Sequence, residues 1–153
     1  MRRTFITMGI AIALALGIAL QVAAETTAED AVKYRQSIMT SMRGHATAIS
    51  LMVRGKAGDP SFMPNHVRAL SALTSELETV FQEGSIVHES EALPVIWKEP
   101  EEFAEALARV QEAAATLNAV AENGDMREIG EAFRNVGEAC KGCHERFRKE
   151  HEH

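Results

Sequence analysis

The sequence predicts an all-α fold, an antiparallel up-down-up-down four-helix bundle, on three observations. Apolar residues recur at alternating steps of three and four in four separate stretches. Clusters of backbone breakers separate those stretches: Gly58-Asp59-Pro60 with Pro64, Gly84 with Pro94, and Asn123-Gly124. The composition is 46% hydrophobic, rich in Ala, Leu, Val and Ile, with six Phe, one Tyr and one Trp, which favours helices over sheets.

Each element has its own signal. Thr26 or Thr27 with Glu29 or Asp30 three residues on makes a capping-box start, and a helix runs from there to about Arg54. Its inward stripe reads Val32, Arg35, Met39, Met42, Ala46, Ile49, Val53. Arg35 is the anomaly in that stripe, because a buried cation needs compensation; the alternatives are an anionic group nearby or a side chain that snorkels out to water. Residues 55–65 form a loop, and a second helix is expected from about Asn65 to Gln82, with Val67, Leu70, Leu73, Leu77 and Phe81 inward. The stretch 83–99 is too rich in breakers to be helical throughout, and Ile96-Trp97 supplies an anchor that can pin it to the core. Pro100 suits the first turn of a third helix, with Glu101 and Glu102 complementing its dipole and Phe103, Leu107, Val110, Ala114, Leu117 and Ala121 inward. Asn123-Gly124 ends it, and Asp125-x-x-Glu128 caps a fourth helix whose stripe is Met126, Ile129, Phe133, Val136, Cys140, Cys143, Phe147. A break of two residues makes the last two helices antiparallel neighbours.

The N-terminus has the pattern of a secretory signal: Arg2 and Arg3, an apolar run from Gly9 to Leu20, and small residues Val22-Ala23-Ala24 before Glu25. Residues 1–24 are therefore expected to be cleaved and residues 25–153 to form one domain, exported to the periplasm and not membrane-embedded after processing. The full chain has 16 basic and 22 acidic residues; losing Arg2 and Arg3 leaves 14 and 22, net −8. Such a charge argues against nucleic acid and acidic membrane surfaces as partners and allows a basic one.

The chemistry concentrates at Cys140-Lys141-Gly142-Cys143-His144. Two cysteines three apart with a histidine directly after the second is the attachment signature of c-type haem: each thiol adds across a vinyl group and the imidazole becomes an axial iron ligand. These are the only two cysteines, so one covalent haem c accounts for both. Cys140 and Cys143 lie on the inward stripe of the last helix, with His144 one turn from Cys140, so the haem is expected to stand against this helix with its body in the bundle. Nine residues follow His144, so a sixth ligand is expected from upstream or not at all. Zinc binding and thiol redox chemistry are the competing uses. The first would need His144 and a tail residue such as His151 crowded beside Cys143, and the second belongs at a helix N-terminus after a strand.

These residues resemble the class II c-type cytochromes, the family of cytochrome c′ and its low-spin relatives, over essentially the whole mature chain; cytochrome c′ is itself a standing example of an up-down-up-down bundle. The similarity rests on the Cys-x-x-Cys-His motif near the C-terminus with Arg148 four residues after the histidine, on Arg35-Gln36-x-x-Met39, and on Pro94-Val95-Ile96-Trp97. It implies that Arg35 and Gln36 lie near the haem propionates, that Met39 faces the distal side of the iron as sixth ligand or distal-face residue, that Arg148 sits beside the proximal histidine, and that two copies pair through their first two helices as a homodimer. In one branch of the family the iron is five-coordinate and takes up nitric oxide or carbon monoxide; in the other a first-helix methionine binds it.

Two functions follow as expectations. One is electron transfer with a redox partner protein; the other is capture of a small gas ligand at a vacant iron position. No acid–base pair or activated nucleophile stands out, so enzymatic turnover is not expected. The remaining methionines read as core filler, His45, His66 and His88 as polar surface or loop residues, and Arg146 and Lys149 as complements of the helix dipole.

Overall fold

The computed structural model describes residues 26–122 and 125–150; the segment expected to be a signal, the Asn123-Gly124 break and the histidines of the tail lie outside them. Four long or medium helices carry the fold: α1 (Ala28–Val53), α2 (Met63–Thr74), α4 (Pro100–Ala121) and α5 (Met126–Phe147), with a short α3 (Val95–Lys98) and a 3₁₀ turn at Pro60–Phe62. Around the bundle α1 packs on α2, α2 on α4, α4 on α5 and α5 back on α1, which closes a four-helix ring.

The starts of α1 and α5 follow their caps. Thr27 accepts a hydrogen bond from the Asp30 N–H at 3.1 Å, and Asp125 accepts from those of Arg127 and Glu128 at 2.9 and 3.1 Å. Each satisfies amides that a first helical turn leaves without a partner. Pro100 occupies the first turn of α4, as its fixed φ favours. The core is aliphatic at the waist, where Ile49, Val67 and Leu117 are wholly buried. Burying each such side chain contributes about 1.5–3 kcal/mol. Gly130 lets α5 approach α1 closely, since a Cβ there would lie 3.0 Å from Val53 Cγ1.

Two expectations need correction. The second helix stops at Thr74, not Gln82, and starts at Met63. Beyond Thr74 the amides of Ser75, Glu76, Leu77 and Thr79 bond three residues back, while Thr74, Ser75 and Thr79 turn their hydroxyls onto carbonyls three residues earlier. This hydroxyl-rich run tightens the helix into successive turns, although Leu77 and Val80 still point into the core. In the α1 stripe, Ile38 takes the buried place expected of Met39, which is only half-buried at the edge of the core.

The segment between α2 and α4 is pinned at both ends. Ile96 is buried, and Trp97 Nε1–H donates to the Phe81 carbonyl at 3.2 Å. Residues 91–93 pair with the chain just past α5: the Lys149 N–H donates to the Glu91 carbonyl at 2.8 Å and the Leu93 N–H to that of Phe147 at 2.9 Å, with Ala92 opposite Arg148. The connecting loop is thus clasped to the end of the helix that carries the cysteine motif.

Candidate functional site

The site is built on the C-terminal half of α5. Cys140 and Cys143 are free thiols, both half-buried and packed against the hydrophobic core, one helical turn apart. His144 follows, also half-buried. Burial pushes the Cys140 thiol up. It pushes Cys143 up to about 11, with the neighbouring Cys140 adding to the effect and Arg109 opposing it. Both groups are therefore thiols at neutral pH. That is opposite to a disulfide-exchange cysteine, whose thiolate is favoured at a helix N-terminus. Nor do the described residues gather three or more Cys, His, Asp or Glu side chains that could share a metal ion. Burial, helped by Arg148 and opposed by Glu91, holds the His144 imidazole below its ordinary value. The neutral ring, with one nitrogen lone pair free for a metal, is thus the form present at pH 7.

Arg35 is the other residue that the sequence singles out. Its guanidinium is buried, 4% exposed, so it does not snorkel to water. One terminal nitrogen donates to the Val80 carbonyl at 3.2 Å and to Ser85 Oγ at 2.9 Å. The other donates to the Ser85 carbonyl at 3.1 Å and to Ser90 Oγ at 3.0 Å. The group also lies over the Phe81 ring, 5.1 Å from its centre. All four oxygens are neutral, so the charge is hydrogen-bonded but meets no anion among these contacts. Gln36, next along, donates to the Glu89 carbonyl at 2.8 Å. Arg35 and Gln36 together hold the 80–90 loop onto α1.

An edge-to-face aromatic row links this loop to the cysteine helix: Phe81 to Phe103 at 4.9 Å, and Phe103 to Phe147 at 5.0 Å between ring centres. Such contacts fix ring orientation as well as burying area. Arg146 continues the row over Phe147 and bonds Glu99 at 2.5 Å, with Glu102 at 3.9 Å. It therefore ties α5 to the start of α4 and is more than a complement of the helix dipole. Arg148 is not in the last turn: its backbone is extended, its N–H caps the His144 carbonyl at 3.1 Å, and its side chain is exposed.

Sequence reasoning missed Ser85, Ser90 and Phe81 as the partners of Arg35. A buried arginine announces that acceptors exist, but the loop residues that supply them have no periodicity to give them away. It also read His45 and His66 as separate surface residues, whereas they are half-buried and meet each other.

The donor set fits a c-type haem. Two protonated, half-buried thiols one turn apart face the core, and a neutral imidazole follows them.

Residues 30–148 match the family model described as Cytochrome C′. Cytochrome c′ of Pararhodospirillum photometricum is 32% identical over 122 residues, 79% of this chain and 98% of that protein. Cytochrome c-554 of Cereibacter sphaeroides is 35% identical over 126 residues, 79% of this chain and 82% of that protein. The nitric oxide complex of a single-residue variant of cytochrome c′ from Alcaligenes xylosoxidans superposes with a TM-score of 0.76 at 33% identity, over 82% of this chain and 98% of that one. Proteins of this family carry one covalently attached haem c. With the family model spanning almost all of the described residues, the chain belongs to the cytochrome c′ family of class II c-type cytochromes.

Proposed function

We propose that the protein is an exported mono-haem electron-transfer cytochrome, with residues 1–24 serving as the signal that takes it to the periplasm. The observation that carries this reading is the pair of free, half-buried thiols of Cys140 and Cys143 on the core side of α5, directly before His144. Cys140 and Cys143 would hold the haem as thioethers and His144 would be its axial ligand. When bound, the haem supplies a one-electron couple between ferrous and ferric iron. The chain's own residues do the rest. The aliphatic waist excludes water, and the aromatic row with its Arg146–Glu99 tie holds α5 in place, so that little reorganises when charge changes. The Arg35 charge, surrounded by neutral oxygens, favours an anionic edge of the cofactor on its side of the bundle. Arg148 stands near enough to His144 to tune the imidazole through space.

A second reading is gas capture: nitric oxide or carbon monoxide at the distal iron position. It is favoured by the nitric oxide complex formed by the Alcaligenes relative and by the placement of Met39, half-buried at the core edge of α1 and not locked inside it. Met39 is either the sixth ligand or the side chain that a gas must displace. An optical spectrum of the ferrous protein separates the two readings. A low-spin spectrum unchanged by carbon monoxide supports the electron carrier with Met39 on the iron. A high-spin spectrum that shifts on adding the gas supports capture.

A further inference from the structure

His45 on α1 and His66 in the first turn of α2 meet across two helices, outside the cysteine-motif region, and belong to no part of the site described above. Their Nδ1 atoms are 3.1 Å apart. The ring centres are 5.3 Å apart and the planes tilted by 57°, so the rings meet through nitrogen edges and not through stacked faces. Both side chains are half-buried, and each stands on a helix whose position is fixed by apolar packing, Met42 and Ile49 on α1 against Met63, Val67 and Leu70 on α2. The separation is thus a property of two rigid elements and not of a mobile loop.

The spacing suits a metal ion as well as a proton. Two nitrogens bound to one ion at about 2.0–2.1 Å lie about 2.9 Å apart when cis at a right angle and about 3.3 Å apart at a tetrahedral angle. The observed distance falls between those limits. We propose that His45 and His66 form a second site, independent of the haem, that takes one divalent transition-metal ion between their Nδ1 atoms. Imidazole pairs with water completing the sphere suit Cu²⁺ best, which accepts tetragonal nitrogen and oxygen ligands and heads the affinity order of the divalent first-row ions. Partial exposure of both residues leaves room for that water. With an ion bound, each ring carries its proton on Nε2, so both Nδ1 lone pairs face the metal. With only two protein ligands the site is exchangeable and not structural, which agrees with the lack of a larger ligand cluster among the described residues.

The test uses the mature holoprotein titrated with CuCl₂ and followed by electron paramagnetic resonance, where the copper signal is separate from that of ferric haem. Because the sequence also carries His151 and His153, the titration is run on the His151→Gln/His153→Gln variant. One Cu²⁺ per chain with hyperfine structure from two nitrogens is expected. Its affinity should fall at least tenfold in His45→Gln or His66→Gln and hold in His88→Gln, with thermal melts confirming that each variant is folded. Loss of all copper binding when the tail histidines are replaced, or equal binding after replacing His45 or His66, would overturn the assignment. A spectrum showing a single nitrogen ligand would do the same.

Discussion

Arg35→Ala is the perturbation whose cost can be worked most fully from the structure. The change removes four hydrogen bonds from a cation to the 80–90 loop and a contact with the Phe81 ring. The four acceptors are not equally harmed. Ser85 Oγ keeps its bond to the Gln82 carbonyl at 2.5 Å, and Ser90 Oγ still accepts from the Ala92 N–H at 3.2 Å. The Val80 and Ser85 carbonyls lose their guanidinium bonds, each costing about 1–3 kcal/mol where water cannot follow. Water entering the space left by the side chain, and relief from burying a charge, offset part of this. A net loss of about 2–4 kcal/mol results. At roughly 2.1 cal/mol/K of unfolding entropy per residue, that lowers the melting temperature of the mature holoprotein by about 7–15 °C. Circular dichroism gives the melt, and amide hydrogen exchange should show residues 85–93 losing protection ahead of the helices. Arg35→Lys keeps the charge but not the fork that reaches both serines, and should fall between. A melting temperature within about 3 °C of the parent, with protection of the loop unchanged, would refute the view that Arg35 organises this segment.

Three further outcomes follow. Met39→Ala should convert a low-spin ferrous spectrum to a high-spin one that responds to carbon monoxide; an unchanged spectrum would remove Met39 from the coordination sphere. The Asp125 carboxylate is held below its ordinary value by the Glu128 and Arg127 amides, as is that of Asp59 by the Ser61 amide. Their stabilisation is therefore complete above the ordinary aspartate range near pH ~3.9 and is lost as pH falls through the lower folded values. Asp125→Ala should flatten the acid side of a plot of melting temperature against pH, and an identical acid limb would contradict the capping role. Gly58 has φ +88°, and a Cβ there would meet Met52 Cγ at 2.7 Å. Gly58→Ala should therefore destabilise by at least about 1–2 kcal/mol from the backbone alone, measured by urea denaturation, whereas an unaltered midpoint would show that the 55–59 turn rearranges freely.

Periodic features of this chain were legible in its residues, and features made by irregular backbone were not. The α4 stripe Phe103, Leu107, Val110, Ala114, Leu117, Ala121 is buried as its spacing predicts, because a helix turns a three-four pattern into one face. The caps at Thr27 and Asp125 were equally readable, since a side-chain oxygen before an amphipathic run has one favourable use. The end of α2 was not, because three hydroxyls competing for helical carbonyls shortened a helix whose apolar pattern ran on to Phe81. Within the site, the Cys-x-x-Cys-His spacing marks itself, and Arg35 shows as a charge in an apolar stripe. Its partners Ser85 and Ser90, and the clasp of residues 91–93 on residues 147–149, depend on long-range contacts that no local pattern encodes. His45 and His66 likewise became a pair only once α1 and α2 were side by side.

The reading of this chain as a haem carrier depends on the bonds from Cys140 and Cys143 to the porphyrin, and intact-mass spectrometry of the mature protein tests them most directly. Protein purified from a host that matures c-type cytochromes should weigh one haem more than its polypeptide and keep its colour through acid-acetone extraction. The added mass should map to the peptide containing Cys140, Cys143 and His144. Colourless protein of bare polypeptide mass from that same host would contradict the account.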